Sequence, residues 1–208
     1  MSLTKEIKKL LDYFIYNPQK YWNTNGGEIY YNKFPPLGDR YENIIFEKII
    51  KIKPKSIIDI GCGYGRYLKY ISTNFPEIEL TGVDISYTQV DQATKYCKKY
   101  PNIKLLVIDG KSLPFKNNTF DMAFTFGCLS ALPYNKIADF YTEIKRVTLK
   151  TGLFLECNKP ENYNKLTSKK YWFYHNYHKL FDKESLIEAP LHPINGDTLY
   201  QVKFNNDI

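Results

Sequence analysis

Three glycines at alternate positions, Gly61, Gly63 and Gly65, follow an apolar segment and lead into a predicted helix. Glycines let the backbone turn tightly and approach a ligand without a β-carbon in the way. The N–H groups and the positive dipole end of the following helix attract a carboxylate or a phosphate. Asp59, two residues before the first glycine, would repel a pyrophosphate but suits an ammonium group. The loop therefore fits an amino-acid group better than the pyrophosphate of a dinucleotide, whose sites use GxGxxG spacing.

Two further acids end short apolar segments. Asp84 follows Gly65 by nineteen residues, and an acid at that place can accept hydrogen bonds from both ribose hydroxyls. Asp109, followed by Gly110, ends the next apolar segment, where it could reach the exocyclic amine of an adenine. The spacing of these acids is typical of a nucleoside site beside the glycine loop.

Short apolar strands alternate with helices from residue 56 onward, which predicts the elements that position these residues. The predicted strands are 56–60, 79–83, 104–108, 121–126 and 153–157. Helices are predicted at about 64–73, 86–99 and 135–148, with Ser86 and Gln89 as a capping box. Crossovers of this length predict an α/β fold, with a three-layer, doubly wound, mostly parallel sheet and helices on both faces.

The two ends of the chain are predicted separately from this core. Residues 3–16 have the spacing of an amphipathic helix, and residues 19–34, the lid segment, are irregular and aromatic. Residues 1–40 are therefore assigned to an N-terminal helix and lid, and residues 41–208 to the ligand-binding domain of one compact unit. Near the C-terminus, residues 183–189 could form a short helix or a strand leading into a turn at 193–196. We favour a closing antiparallel pair with the alternating run 198–204.

These motifs, in this order, resemble the class I S-adenosylmethionine-dependent methyltransferases. DIGCGYGR at 59–66 matches the glycine motif of that family, and VDI at 83–85 matches the acidic end of its second strand. Asp109 with LPFKNNTFD at 113–121 matches the third motif and fourth strand, and 143–152 matches the helix and turn before the fifth. The resemblance covers about residues 40–158.

The resemblance implies a role for each matching residue. The methionine moiety of S-adenosylmethionine would be held by Asp59, Gly61, Cys62, Gly63 and Gly65, with Asp59 neutralising its ammonium. The nucleoside would be bound by Asp84, Ile85, Asp109 and Gly110. Phe126, which ends the fourth strand, would line the sulfonium side. The product would be S-adenosylhomocysteine, and no metal is expected.

Acceptor-binding and proton-transfer candidates lie outside these motifs. The rings of the lid segment that could wall an acceptor pocket are Tyr21, Trp22, Tyr30 and Tyr31; alternatively, they only pack the N-terminal helix down. After the fifth strand, His175 or His178 could act as a general base, although either could be a surface or capping residue. Glu156, at the end of that strand, could face the acceptor.

Composition excludes several classes of protein. The 208 residues are 43% hydrophobic, so global disorder is excluded. No apolar run approaches the ~18 residues of a membrane span, and no leader pattern is visible, so a soluble, cytoplasmic protein without membrane partners is expected. The four cysteines are scattered singly, which favours buried reduced thiols over a metal site or a disulfide framework.

Three functions remain open, and we favour O- or N-methylation of a small-molecule acceptor. The net charge of +7 keeps an RNA methyltransferase, or a protein methyltransferase, as an alternative, although nucleic acid is the less favoured partner. A non-catalytic S-adenosylmethionine-binding subunit of a larger assembly is the third. The sequence sets neither the oligomeric state nor the acceptor.

Overall fold

The chain folds around one seven-stranded sheet. The computed structural model describes residues 16–33, 40–157, 173–181, 186–192 and 197–204. The helix expected at 3–16 and the turn expected at 193–196 lie outside these residues. The helices are α1 Pro18–Asn25, α2 Glu28–Lys33, α3 Arg40–Ile52, α4 Arg66–Asn74, α5 Tyr87–Cys97, α6 Ile137–Val147 and α7 Tyr177–Leu180, with a 3₁₀ helix at Leu129–Ala131. The strands are β1 Ser56–Ile60, β2 Glu79–Asp84, β3 Ile103–Val107, β4 Phe120–Phe126, β5 Thr148–Cys157, β6 Leu186–His192 and β7 Asp197–Lys203.

The strand order is β3-β2-β1-β4-β5-β7-β6. The first five strands are parallel, with Asp59 of β1 opposite Gly82 of β2 and Phe124 of β4. β7 runs antiparallel to both β5 and β6, which confirms the closing antiparallel pair. The predicted α/β fold with a mostly parallel sheet is therefore confirmed.

Two hydrophobic cores cover the two faces of the sheet, because successive side chains of a strand point to opposite sides. Ile57 belongs to the core under α3 and α4, which contribute Ile45 and Leu68. Its neighbour Ile58 belongs to the opposite core, which contains Ile144 of α6. Both isoleucines are fully buried. Adjacent isoleucines in β1 are buried on opposite faces for this reason, as expected for a strand covered on both faces.

The loop before β4 is held by a partly exposed ion pair on α6. Arg146 donates to Glu143 at 2.7 Å and to the backbone carbonyls of Phe115 and Leu113 at 2.7 and 2.9 Å. Glu143 in turn accepts from the N–H of Leu113. The hydrogen bonds from Arg146 hold the pKa of Glu143 at about 2, well below its usual range.

The fold brings the carboxyl ends of β1, β2 and β4 together at one edge, which is where doubly wound sheets bind ligands. β1 lies between the other two, and the loop that follows it passes over this edge. No helix among the described residues is long and apolar enough to cross a membrane.

Candidate cofactor and acceptor site

The glycine loop turns sharply between β1 and α4. The N–H groups of Gly61 and Cys62 both donate to the carbonyl of Val83, at 2.8 and 3.0 Å, so the loop is tied to the end of β2. Gly61 has a φ of +73°, a conformation that other residues adopt only with strain. A β-carbon there would also lie 2.6 Å from the Cys128 sulfur. Glycine at this position therefore keeps the β1 and β4 ends close together.

Asp84 ends β2 with its side chain turned under the loop. Its Oδ2 accepts from the N–H of Gly63 and its Oδ1 from the N–H of Ser86, both at 2.9 Å. Burial raises the pKa of Asp84 to about 6, although these hydrogen bonds oppose the shift. Asp84 lines the pocket and can still accept from a ligand hydroxyl, because each carboxylate oxygen has two lone pairs.

Asp59 lies deeper, in the floor of the same pocket. It is 3% exposed, and burial raises its pKa to about 8, with a further contribution from the charge of Asp84. The nearby Arg66 opposes this shift only in part. A buried carboxyl with a raised pKa gains strongly from a cationic ligand, so Asp59 suits the ammonium group expected from the sequence.

The pocket over this edge contains most of the predicted cofactor residues. Those lining it are Asp59, Gly61, Cys62, Gly63, Asp84, Ile85, Gly110 and Phe126. Gly65 lies behind the loop instead, where it precedes α4 with a φ of +85° and its carbonyl accepts a weak hydrogen bond from the thiol of Cys97.

Asp109 departs from its predicted role. Its exposed side chain accepts from the N–H of Lys111 at 2.8 Å and of Ser112 at 3.3 Å, and these bonds lower its pKa. It does not line the pocket, whereas its neighbours Ile108 and Gly110 do. Asp109 therefore closes its own turn beside the pocket.

The lid segment supplies one wall of the pocket. Trp22 and Tyr30 line it, as does Pro18. Tyr21 instead packs edge-on against Trp22, and Tyr31 packs against Tyr64. The structure thus divides the four predicted rings into two that line the pocket and two that pack behind it, Tyr21 on Trp22 and Tyr31 on Tyr64.

Helix α5 holds the lid segment in place. The Ser86 hydroxyl donates to the carbonyl of Trp22 at 3.0 Å, and the N–H of Tyr87 donates to Oδ1 of Asn23 at 3.0 Å. Because Ser86 also donates its N–H to Asp84, one residue joins the lid segment to the predicted ribose acid.

Gln89 is a pocket residue that the sequence did not reveal. Its N–H donates to the Ser86 hydroxyl at 3.3 Å, as a capping box requires. Its side chain does not return to Ser86, however; its buried Oε1 accepts from the N–H of Gly27 at 3.0 Å. Local spacing could not reveal this contact, since the two residues are far apart in the chain. Further pocket residues not singled out as candidates are Tyr64, Arg66, Tyr67, Ala131, Leu132 and Phe140.

Glu156, a catalytic candidate from the sequence, lies outside the pocket lining. Its carboxylate is 1% exposed. It accepts from the Thr125 hydroxyl at 2.7 Å, from the N–H of Leu129 at 3.1 Å, and from the N–H and hydroxyl of Ser130 at 3.0 and 2.7 Å. Burial raises its pKa despite these bonds. Glu156 thus organises the turn after β4.

The two histidine candidates also lie outside the pocket lining. His175 is buried, and its Nε2 lies 3.0 Å from the carbonyl of Leu132. Burial lowers the pKa of His175. His178 is exposed on α7 with its ring edge-on to Tyr200. The structure therefore brings neither ring to the place where a general base would act.

The arrangement at the pocket fits S-adenosylmethionine. The buried acid Asp59 suits its ammonium group, and Asp84 suits its ribose. Gly61, which has a positive φ and no β-carbon, lets the backbone approach the ligand closely. Within the described part of the chain, no three His, Cys, Asp or Glu side chains form a group that could hold a metal ion.

Comparison with known proteins supports the same family. A methyltransferase domain family model matches residues 57–152. A malonyl-[acyl-carrier protein] O-methyltransferase of Legionella pneumophila is 33% identical over 85 residues, covering 38% of this chain and 29% of that protein. A fatty-acid O-methyltransferase of Mycolicibacterium smegmatis is 25% identical over 149 residues, covering 64% and 52%. A tRNA (carboxymethyluridine(34)-5-O)-methyltransferase of Saccharomyces cerevisiae is 39% identical over 83 residues, covering 39% and 27%.

The matched segments span 27% to 52% of the length of these three relatives. Among solved structures, a protein of Pyrococcus horikoshii superposes with a TM-score of 0.65 at 19% identity, covering 86% of this chain and 100% of that one. This likeness shows a shared fold. Together with the glycine loop and the acid at the end of β2, the family model that matches residues 57–152 supports a class I S-adenosylmethionine-dependent methyltransferase.

Proposed function

We propose that the protein transfers the methyl group of S-adenosylmethionine to an oxygen or nitrogen of a small-molecule acceptor. The observation that carries this proposal is the glycine loop held between two buried acids. Gly63 donates to Asp84 at 2.9 Å, and Asp59 lies under the loop with a pKa of about 8. These groups complement the ribose hydroxyls and the ammonium of the cofactor.

The residues of this chain bind, orient and exclude water. When bound, S-adenosylmethionine supplies an electrophilic methyl group on a positively charged sulfur. Trp22 and Tyr30 close one side of the pocket and Phe126 the other, which keeps water from the reacting groups. Holding the acceptor near its attack distance can lower the barrier by about 7–11 kcal/mol in favourable cases.

Two observations support a small acceptor with a reactive oxygen. The pocket is walled by rings from the lid segment, the glycine loop and β4, which suits a compact apolar body. Two of the relatives with named acceptors are O-methyltransferases, one for malonyl-[acyl-carrier protein] and one for fatty acids. Oxygen is therefore the acceptor atom that we favour over nitrogen.

Calorimetric titration with S-adenosylmethionine, S-adenosylhomocysteine and NAD tests the proposal. We expect the first two to bind in the micromolar range and NAD not to bind. Asp84→Asn should weaken binding by at least ~10-fold, since a hydrogen bond to a charged group is worth ~1.5–3 kcal/mol. The matched control is Asp91→Asn, which changes an exposed acid of α5 that pairs with Lys95 in the same helix.

Three results would count against the proposal. Binding of NAD instead of S-adenosylmethionine would mean that the loop serves a dinucleotide. Unchanged affinity in Asp84→Asn would remove the ribose assignment. Binding of S-adenosylmethionine without turnover of a broad acceptor panel would favour a non-catalytic subunit.

An RNA acceptor is the second candidate, favoured by the yeast tRNA methyltransferase relative and by the net charge of +7. Binding of an RNA pool should then fall steeply with salt, because each neutralised phosphate releases counterions. A titration between about 50 and 200 mM salt distinguishes the candidates. A flat response removes RNA from consideration.

A further inference from the structure

Arg66 is a cation at the acceptor side of the pocket. It is the first residue of α4, directly after the glycine loop, and it lines the pocket while remaining half-buried. Its guanidinium carbon lies 4.6 Å from the centre of the Tyr67 ring and 5.3 Å from that of Phe126. Nη2 donates to the Tyr67 hydroxyl at 3.1 Å. These two rings and this hydrogen bond help to orient the side chain.

The direction of this side chain separates it from the nucleoside end of the pocket. Phe126 ends β4, and β4 lies beside β1 on the side opposite to β2. Asp84 and the carboxyl end of β2 mark the ribose side. The guanidinium therefore lies over the β4 side, where the methyl-bearing end of the cofactor meets its acceptor under the proposed function.

The ring cluster around Arg66 favours a flat anion with an apolar body. Tyr41 packs against Phe126 at 5.5 Å between ring centres, and Tyr67 packs against Phe126 at 5.1 Å. When a guanidinium stacks on rings, its N–H donors still lie in its own plane, and two parallel N–H groups match the two oxygens of a carboxylate. The partial burial of Arg66 strengthens such a pair relative to one in water.

The phenol of Tyr64 and the thiols of Cys62 and Cys128, which lie in the pocket, stay protonated at neutral pH. Burial raises the pKa of Tyr64, Cys62 and Cys128 above their usual ranges. These groups would not take a proton from a neutral acceptor. A carboxylic acid, by contrast, has already lost its proton at neutral pH, since its ordinary pKa is about 4.

We propose that Arg66 binds the carboxylate of the acceptor, so that the substrate is a carboxylic acid with an apolar or aromatic body and the product is its methyl ester. This assignment rests on the proposed methyl transfer. A carboxylate oxygen forms the new bond to the methyl carbon, and the bond from that carbon to sulfur breaks. The electron pair stays on sulfur, which becomes a neutral thioether, and no proton is moved.

Binding to the product-loaded protein tests the assignment. The probes are octanoate and phenylacetate, each compared with its uncharged amide, in protein saturated with S-adenosylhomocysteine. We expect each acid to bind at least about tenfold more tightly than its amide. Arg66→Gln should remove this preference while changing the affinity for S-adenosylhomocysteine less than threefold. The matched control is Lys69→Gln, which removes another cation of α4, stacked 4.2 Å from the Tyr96 ring outside the pocket lining.

The outcomes separate this assignment from the proposed function. Equal binding of acids and amides, or binding of neither acid, overturns the assignment. So does a loss of about tenfold or more in S-adenosylhomocysteine affinity in Arg66→Gln, which would mean that Arg66 holds the carboxylate of the cofactor. Failure of the unaltered protein to bind S-adenosylhomocysteine overturns the proposed function, and the assignment with it.

A turnover measurement adds a chemical readout. The protein is supplied with S-adenosylmethionine carrying a tritiated methyl group and with the same acids. A methyl ester releases its label as volatile methanol on treatment with base, and this release would support the assignment. Transfer to a base-stable ether or amine in an alcohol or amine panel would retain the proposed function and overturn the carboxylate assignment.

Discussion

The Oδ2 oxygen of Asp84 accepts a hydrogen bond from the N–H of Gly63 at 2.9 Å. The residue expected to hold the ribose therefore also holds the loop expected to hold the methionine moiety. Binding at either end of the cofactor acts on the same carboxylate, so the two halves of the site form one unit.

Amide hydrogen exchange should reveal this coupling. Asp84→Ala removes the acceptor for the N–H groups of Gly63 and Ser86, so we expect these amides to exchange at least ~10-fold faster, in keeping with ~1.5–3 kcal/mol per bond to a charged group. Amides of β4 and β5 should be unchanged, as should the loop in Asp91→Ala. Uniform acceleration across the sheet would show that the whole fold had loosened instead.

The stability of the ligand-free protein should fall as the pH rises from 6 to 8. The pKa of Asp59 is raised from 3.8 in its ordinary state to about 8 in the folded protein. Over this range the unfolded chain has lost the proton that the folded protein keeps. The free energy of unfolding then decreases with pH, by at most about 1.4 kcal/mol per pH unit for one group.

Chemical denaturation at several pH values measures this slope. Asp59→Asn should flatten the slope, because it removes the titrating group. Cofactor affinity should show the opposite dependence, since an ammonium ligand requires the ionised form of Asp59 and binds better as the pH approaches 8. A slope that persists in Asp59→Asn would assign the pH dependence to another group.

Gly27 should be essential for docking of the lid segment. Its φ is +60°, and a β-carbon there would lie 2.9 Å from the carbonyl of Thr88. Gly27→Ala should weaken docking by ~1–2 kcal/mol for the left-handed conformation alone, and S-adenosylhomocysteine affinity should fall about tenfold. Trypsin cleavage after Lys33 should accelerate. Asn25→Ala, an exposed change within α1, is the control, and equal affinities in the two variants would contradict a role of docking in binding.

Glu156 should matter for stability rather than for proton transfer. Glu156→Gln replaces one carboxylate oxygen by a donor that faces other donors, so we expect a loss of about 3 kcal/mol in the free energy of unfolding. The exposed Glu79→Gln should change stability little. Full stability of Glu156→Gln with abolished methyl transfer would restore a chemical role for this residue.

The sheet was predictable because its strands carry local apolar patterns. The bounds of β1, 56–60, are those expected from the apolar cluster of Ile57, Ile58 and Ile60. β5 begins at Thr148, five residues before the expected start. The segment 148–152 contains Lys150 and Gly152 and lacks an apolar run, so only its pairing with β4 and β7 makes it a strand.

The parts of the site that were not predictable depend on contacts between distant segments. Gln89 was identified as a capping residue, but only the position of Gly27 determines where its side chain goes. Asp109 before a glycine fits either an adenine contact or its own turn, and the hydrogen bonds to Lys111 and Ser112 decide for the turn. The two histidines were candidates by residue type and by their place after the fifth strand, and only the folded chain shows that the ring of His175 is taken up by a contact with the carbonyl of Leu132.

The antiparallel strand β7 has a consequence for synthesis of the chain. β7 fills the place between β5 and β6, yet among the strands described it is the last in the sequence and so the last of them to leave the ribosome. Until residue 203 emerges, the edge of β5 that pairs with β7 in the folded protein lacks this partner. Its N–H and C=O groups are then available to other chains. A nascent protein that already contains the complete glycine loop therefore still exposes an unpaired strand edge that is prone to aggregation. Slow translation of residues 158–203 would prolong this exposure.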